Sequence, residues 1–333
     1  MTAPLTARLY RGTSHNLARL AQALRRGELV AVPTETVYGL AANALDARAC
    51  RAIFRAKGRP QSDPLIVHIH DRAQLAALAV PNAAAERLAA AFWPGPLTLV
   101  LPKRTAVPAI VSAGLPSVAI RMPAHRLFRR LLALADRPLA APSANPFGYV
   151  SPTSAEHVRA SLGRRIRHIL DGGECRIGLE STIVDVRDPR APRLLRPGAI
   201  TRAELERVLG TRVRAGAAKK RSASAAAQIA PGLLKRHYSP RTPAVLHDRI
   251  QADAPGRAPA DEAWLFLARP TGRPGRNVFW LDARGALAPA ARRLFATLRR
   301  IDAGGFRRIH LERAHGDGLA DAINDRLARA AAR

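Results

Sequence analysis

The sequence predicts an α/β protein: a large domain on a twisted sheet, then a linker, then a small α/β domain. Three observations predict this. Apolar runs of strand length are interspersed with helix-period patterns from residue 14 to about residue 210. Capping signals such as Thr201 with Glu204 open helices at the expected places. An Ala/Ser/Lys/Arg-rich stretch over 211–230 then breaks the periodicity, which restarts near 244. The spacing is too irregular for a simple βαβ series.

In chain order, Leu17, Leu20, Ala21 and Leu24 share one face, predicting a helix over 14–26 that Gly27 stops. Leu29–Val32 reads as a buried strand, and Pro33–Leu40 as the polar loop that leaves it. Asp46 caps a helix ending near Gly58. Leu65–His70 is a strand, and Asp71 caps the next helix. Trp93-Pro94-Gly95-Pro96 makes a turn into the strand Leu97–Leu101. Ser117–Arg121, Leu139–Ala141 and Ser181–Val186 are further strands, and Thr153 with Glu156 reads as a capping box. In the second domain Ala244–Leu246, Trp264–Ala268, Asn277–Leu281 and Arg308–Leu311 are extended, while 287–302 and 318–332 are helical. The expected division is 1–210, a linker over 211–243, and 244–333.

The chain has 333 residues, ample for a buried core, and 47% of them are hydrophobic, which excludes a disordered protein. Lys and Arg number 54 against 25 Asp and Glu, a net charge of +29. Such a field suits polyanions, RNA included, although Arg and Ala enrichment along the whole chain explains the excess equally well. Cys50 and Cys175 form no CxxC pair, so neither a disulfide framework nor a zinc site is expected. The first residues carry no apolar signal core and no run is long enough for a membrane span, so a cytoplasmic, membrane-free protein is expected.

Several segments carry chemistry. Thr34, Glu35, Thr36 and Tyr38 leave a strand end, which suits either a small ligand or a polar turn whose hydroxyls satisfy the backbone. Lys57 and Arg59 flank Gly58, with Asp63 and His68 behind; they could grip a polyphosphate or complement a helix end. Ser143, Asn145 and Ser151 supply small polar groups at a strand end and a helix entry. Gly178 to Thr182 and Arg196-Pro197-Gly198 add a Gly-rich approach and another guanidinium. Walker A, GxGxxG and HExxH patterns are all missing from the sequence.

Taken in order, PTETVYGL, KGRPxxDPLIVHI, WPGPLTLVL, SVAIRMPAH, APSAN, SPT, GLESTIVD and LRPG resemble the YrdC-like threonylcarbamoyl-AMP synthases over most of residues 15–210. Lys57/Arg59 with Ser143/Asn145 look like the KxR…SxN signature of that family. PGLLKRHYSP at 231–240, with a small domain after it, is similar to the longer two-domain branch.

The resemblance implies a YrdC-like twisted sheet around a large basic cavity, with a small Rossmann-like C-terminal domain. It implies an L-threonylcarbamoyladenylate synthase, a nucleotidyltransferase. Such an enzyme joins L-threonine, bicarbonate and ATP, releases pyrophosphate, and feeds a separate transferase complex that modifies ANN-decoding tRNAs. It assigns Thr36, His68, Arg121 and Ser181 to threonine. It assigns Lys57, Arg59, Asp63, Ser117, Ser143, Asn145, Ser151 and Arg196 to ATP, with Tyr238 as a lid. Lys57 and Arg59 are also the catalytic candidates, and Mg2+ is expected on the phosphates. Two positions depart from the pattern: Phe147 stands where a Ser is usual, and Met and aromatic residues do not precede the basic pair of the linker. The rival reading is a basic protein that docks double-stranded RNA or tRNA without catalysis.

Overall fold

The computed structural model describes residues 7–216, 227–232, 237–251, 253–254 and 259–332. Most of 1–216 folds around an 11-stranded sheet. Its strands are β1 (Arg8–Arg11), β2 (Val30–Val32), β3 (Gly39–Asn43), β4 (Ile66–His68), β5 (Leu97–Pro102), β6 (Ser117–Arg121), β7 (Leu139–Ala140), β8 (His168–Asp171), β9 (Thr182–Asp185), β10 (Arg193–Arg196) and β11 (Arg214–Ala215). The spatial order is β1-β8-β2-β3-β7-β4-β6-β5-β9-β10-β11. Parallel pairs such as β4/β6 and β5/β9 alternate with antiparallel ones such as β2/β3 and β5/β6. This mixture explains the irregular spacing read from the sequence.

Local signals held where they are local. The helix α1 (Ser14–Arg25) is capped by Thr13 and buries Leu17, Leu20, Ala21 and Leu24. In α2 (Ala47–Lys57), Asp46 accepts from the amides of Arg48 and Ala49. Gly58 ends α2 at φ 64°, a left-handed conformation that glycine adopts without penalty. Thr201 and Glu204 form the expected capping box of the helix Arg202–Leu209. The other expected box does not form: Ser154, not Thr153, caps the helix Ala155–Leu162. Thr153 instead faces the ring of His157.

Gly39–Asn43 is a strand, whereas the sequence suggested a loop as far as Leu40; pairing with Val30–Val32 supplies its ladder. Within the expected linker, Arg214–Ala215 pairs with Arg193–Leu194, and 217–226 lie outside the described residues.

The C-terminal part is a parallel sheet in the order β12 (Ala244–His247), β15 (Arg308–Glu312), β13 (Glu262–Ala268), β14 (Val278–Asp282). Alternate residues Ala263, Leu265, Ile309 and Leu311 pack on the helices Leu287–Asp302 and Leu319–Ala331. That apolar cluster also takes in Val37, Val150, Leu179 and Tyr238, so it extends across the boundary with the first domain. No helix among the described residues is long and apolar enough to cross a membrane.

Candidate functional site

His68 and Arg121 are the last residues of neighbouring parallel strands, and they face each other in register. Ligands in open α/β sheets sit beyond such carboxyl ends. A cavity lies there, lined by Thr34, Thr36, Arg59, His68, Arg121, Ser143, Glu180, Ser181 and Arg196, and roofed by Pro231, Gly232, His237 and Tyr238.

At one end, Thr34 and Thr36 share a hydroxyl contact of 2.7 Å. Arg121 donates to Thr36 Oγ1 at 2.9 Å, to Glu35 at 2.6 Å and to the Gly95 carbonyl at 3.2 Å. Burial pushes the Glu35 carboxyl up, but the Arg121 charge and hydrogen bond outweigh it and hold Glu35 below the usual carboxylate range. Burial, reinforced by the Arg121 charge, drops His68 to about 3, so its imidazole is neutral.

At the other end, Ser181 shares a 2.7 Å contact with Thr98, and Arg196 donates to its hydroxyl and its carbonyl at 3.1 Å each. Arg59 pairs with Asp63 at 2.9 Å and donates to the Asp63 and Pro64 carbonyls. Phe147 lies under its guanidinium, 6.0 Å from ring centroid to charge, and edge-on to His237. The departure at 147 therefore adds an aromatic platform between cation and linker.

The remaining candidates sit around this cavity rather than on its wall. Lys57 donates to the carbonyls of Ser143 and Asn145 at 2.6 Å each, so its ammonium holds the loop that presents Ser143. Burial lowers its pKa well below the ordinary lysine value, with Arg59 adding to the effect. Asn145 uses its amide on the Pro146 and Tyr149 carbonyls, and Ser151 donates to Glu180 at 2.5 Å. Ser117 starts the strand that Arg121 ends, about 13 Å away at strand rise. It shares a sheet face with Ala119 and Arg121 because strand side chains alternate.

Four candidates carry buried polar atoms without a hydrogen-bond partner among the described residues: Asp63 Oδ1, Ser117 Oγ, Asn145 Oδ1 and the Tyr238 hydroxyl. Such orphans call for a bound partner. The cavity encloses about 40 Å³, room for a few water molecules. The space is thus far smaller than the large cavity expected from the sequence, with Pro231, Gly232, His237 and Tyr238 forming part of its wall. Tyr238 sits at φ 59°, an uncommon conformation for a residue with a side chain, and is 1% exposed. Leu233 to Arg236 of the same motif lie outside the described residues.

Sequence reasoning placed Glu35 at the possible ligand edge without giving it a role, and it missed Thr98 and Glu180 as parts of the site. Glu35 and Glu180 each adjoin a named candidate, and both were readable as buried carboxylates needing a cation. Thr98 carried no signal, because a threonine in a strand is ordinary.

Comparison with known proteins points to one family. Residues 22–198 match the family described as telomere recombination, Sua5_yciO_yrdC, and 200–332 match the threonylcarbamoyl-AMP synthase C-terminal domain. The threonylcarbamoyl-AMP synthase of Pyrococcus abyssi is 42% identical over 316 residues, 92% of this chain and 91% of that one. That of Bacillus subtilis is 48% identical over 230 residues, 68% of this chain and 65% of that one. The crystal structure of P. abyssi Sua5 complexed with L-threonine superposes with a TM-score of 0.88 at 40% identity, covering 97% of this chain and 96% of that one.

Proposed function

The chain belongs to the threonylcarbamoyl-AMP synthase family, and from that premise we propose that it condenses L-threonine, bicarbonate and ATP into threonylcarbamoyl-AMP and pyrophosphate. The convergence of Arg59, Arg121 and Arg196 with the hydroxyls of Thr36 and Ser181 on one covered cavity carries this reading. Arg121, Thr36, His68 and Ser181 take threonine, with the Arg121 fork on its carboxylate. Arg59, Arg196, Ser143, Ser117, Asn145, Ser151 and Asp63 form the nucleotide part. Lys57 contributes by fixing the Ser143–Asn145 loop.

The chemistry asks for placement more than for a protein nucleophile. The threonine amine and bicarbonate give a carbamate and water. A carbamate oxygen attacks the α-phosphorus, and pyrophosphate leaves. Arg59 and Arg196 offset the charge on the phosphates, and the chain holds the reacting atoms in line. The carboxylates nearest the cavity, Glu35, Asp63 and Glu180, each face a guanidinium. They suit a magnesium that enters on the phosphate oxygens rather than one caged by the chain.

ATP needs more than the present space, so Tyr238 moves aside to admit it and closes over the nucleotide afterwards. Closure shields the carbamate and the adenylate from water. In this reading 1–210 is catalytic and 244–333 is a separate small domain. The product passes to a tRNA threonylcarbamoyl transferase complex, in the cytoplasm, where the buried thiols Cys50 and Cys175 stay reduced.

The test is pyrophosphate release together with mass detection of threonylcarbamoyl-AMP. Both should require ATP, threonine and bicarbonate together. Equal release with threonine omitted, or salt-sensitive RNA binding with no turnover, overturns the synthase reading.

A further inference from the structure

Arg326, in the last helix of the chain, is 0% exposed. Arginine is rarely buried so deeply unless its charge is met. Its Nε donates to the Glu180 carboxylate at 2.9 Å, and Nη1 donates to the Pro197 carbonyl at 2.9 Å. Its guanidinium lies 5.3 Å from the centroid of the Tyr238 ring. Glu180 is a wall residue of the cavity, and its other oxygen receives the Ser151 hydroxyl. A second arginine converges on the same spot. Arg299, on the preceding helix, donates to the carbonyls of Val150 at 2.5 Å and Ser151 at 3.2 Å.

The apolar packing runs the same way. Val37, Val150, Leu179 and Tyr238 are buried in the C-terminal cluster. The first three are chain neighbours of Thr36, Ser151 and Glu180.

We propose that the C-terminal domain completes the nucleotide wall, with Arg326 and Arg299 as positioning residues that hold Glu180 and Ser151 in place. This rests on the nucleotide reading of the cavity. Glu180 would otherwise present a buried carboxylate to a triphosphate. Arg326 neutralises it, fixes its rotamer, and so fixes the Ser151 hydroxyl that it accepts. Arg299 fixes the backbone of the same serine from the other side. A shape-only interface would bury apolar side chains; one buried guanidinium on the Glu180 carboxylate and another on the backbone of Ser151, which bonds that carboxylate, do more than glue the domains together.

The experiment uses the full chain and two readouts: ATP affinity by calorimetry, and the separate KM values for ATP and threonine in pyrophosphate release. Arg326→Met should weaken ATP binding about tenfold and raise the ATP KM equally, with the threonine KM moving less than about threefold. Arg299→Met should weaken ATP binding about fivefold. The double variant Arg326→Met, Glu180→Gln removes the Arg326 and Glu180 charges and leaves Asp325, which Arg326 also pairs, on Arg329, while glutamine still accepts from Ser151. It should recover ATP affinity to within about threefold of the parent.

Unchanged ATP affinity in folded Arg326→Met overturns the proposal, as does a fall in turnover with both KM values unmoved, the signature of a lost active fraction. If Arg326→Met does not fold, the double variant decides: recovered affinity supports the proposal, and folding with affinity still about tenfold down overturns it. A parent protein that binds ATP but releases no pyrophosphate sinks the synthase reading while the affinity arms still judge this one. A parent that binds no ATP sinks both.

Discussion

Replacing Lys57 by methionine tests how the nucleotide loop is held. The Lys57 ammonium donates at 2.6 Å to the carbonyls of Ser143 and of Asn145, and the residue is 2% exposed. Methionine has nearly the same length and no donor, so both carbonyls lose their partner where water cannot replace it. Each orphan costs about 1–3 kcal/mol. Removing a buried cation returns part of that, because its desolvation is itself unfavourable. The net loss expected is about 3 kcal/mol. At about 2–4 °C per kcal/mol for a domain of this size, the melting midpoint should fall by about 6–12 °C. The loop that presents Ser143 also loosens, and a displacement of about 1 Å in a positioning element can cost a hundredfold in rate. Thermal melts by circular dichroism, with pyrophosphate release measured below both midpoints, read the two effects separately. A variant that melts within about 1 °C of the parent and turns over at the parental rate refutes the reasoning.

Three further outcomes rest on named contacts. Arg121→Lys loses the fork shared between Glu35 and Thr36, so the threonine KM should rise about tenfold or more with little change for ATP; steady-state kinetics in each substrate checks this. His68 is neutral when folded, with a pKa near 3, and ordinary when unfolded. Its folded pKa is depressed, so the unfolded state binds the proton first and stability falls as pH drops below about 6.5, by about 2 kcal/mol at pH 5. Urea unfolding from pH 7 to pH 5 should show this slope, and His68→Gln should flatten it by about that amount while the share of His157 and His237, which burial also lowers, remains. Gly178, at φ 80°, lies where an added Cβ would come 2.5 Å from the Arg292 backbone in the helix Leu287–Asp302. Gly178→Ala should therefore cost at least about 2 kcal/mol and open the domain interface to limited proteolysis. Parental resistance would count against that account.

Much of the fold was legible because its signals are local. The cap at Asp46, the stop at Gly58 and the apolar face of α1 depend on residues within a turn or two. The strand Gly39–Asn43 was not legible, since its ladder comes from β2 and β7 rather than from its own pattern. The Thr153 box failed because two adjacent hydroxyl residues compete for one cap, and only Ser154 reaches the amide of His157.

The sequence by itself determined the order of motifs, the residue types at the site and the two-domain plan. Only the tertiary structure decided which groups meet. Lys57 finds its carbonyls 86 and 88 residues away, and Arg326 finds Glu180 at a separation of 146. It also decided that Lys57 stands behind the cavity, that Tyr238 and His237 join its wall, and that Arg121 already carries a carboxylate partner. Caps and periodicities are set by short-range sterics and hydrogen bonds. A buried charge is set by whatever the fold brings within about 3 Å of it, and one-dimensional spacing carries no record of that.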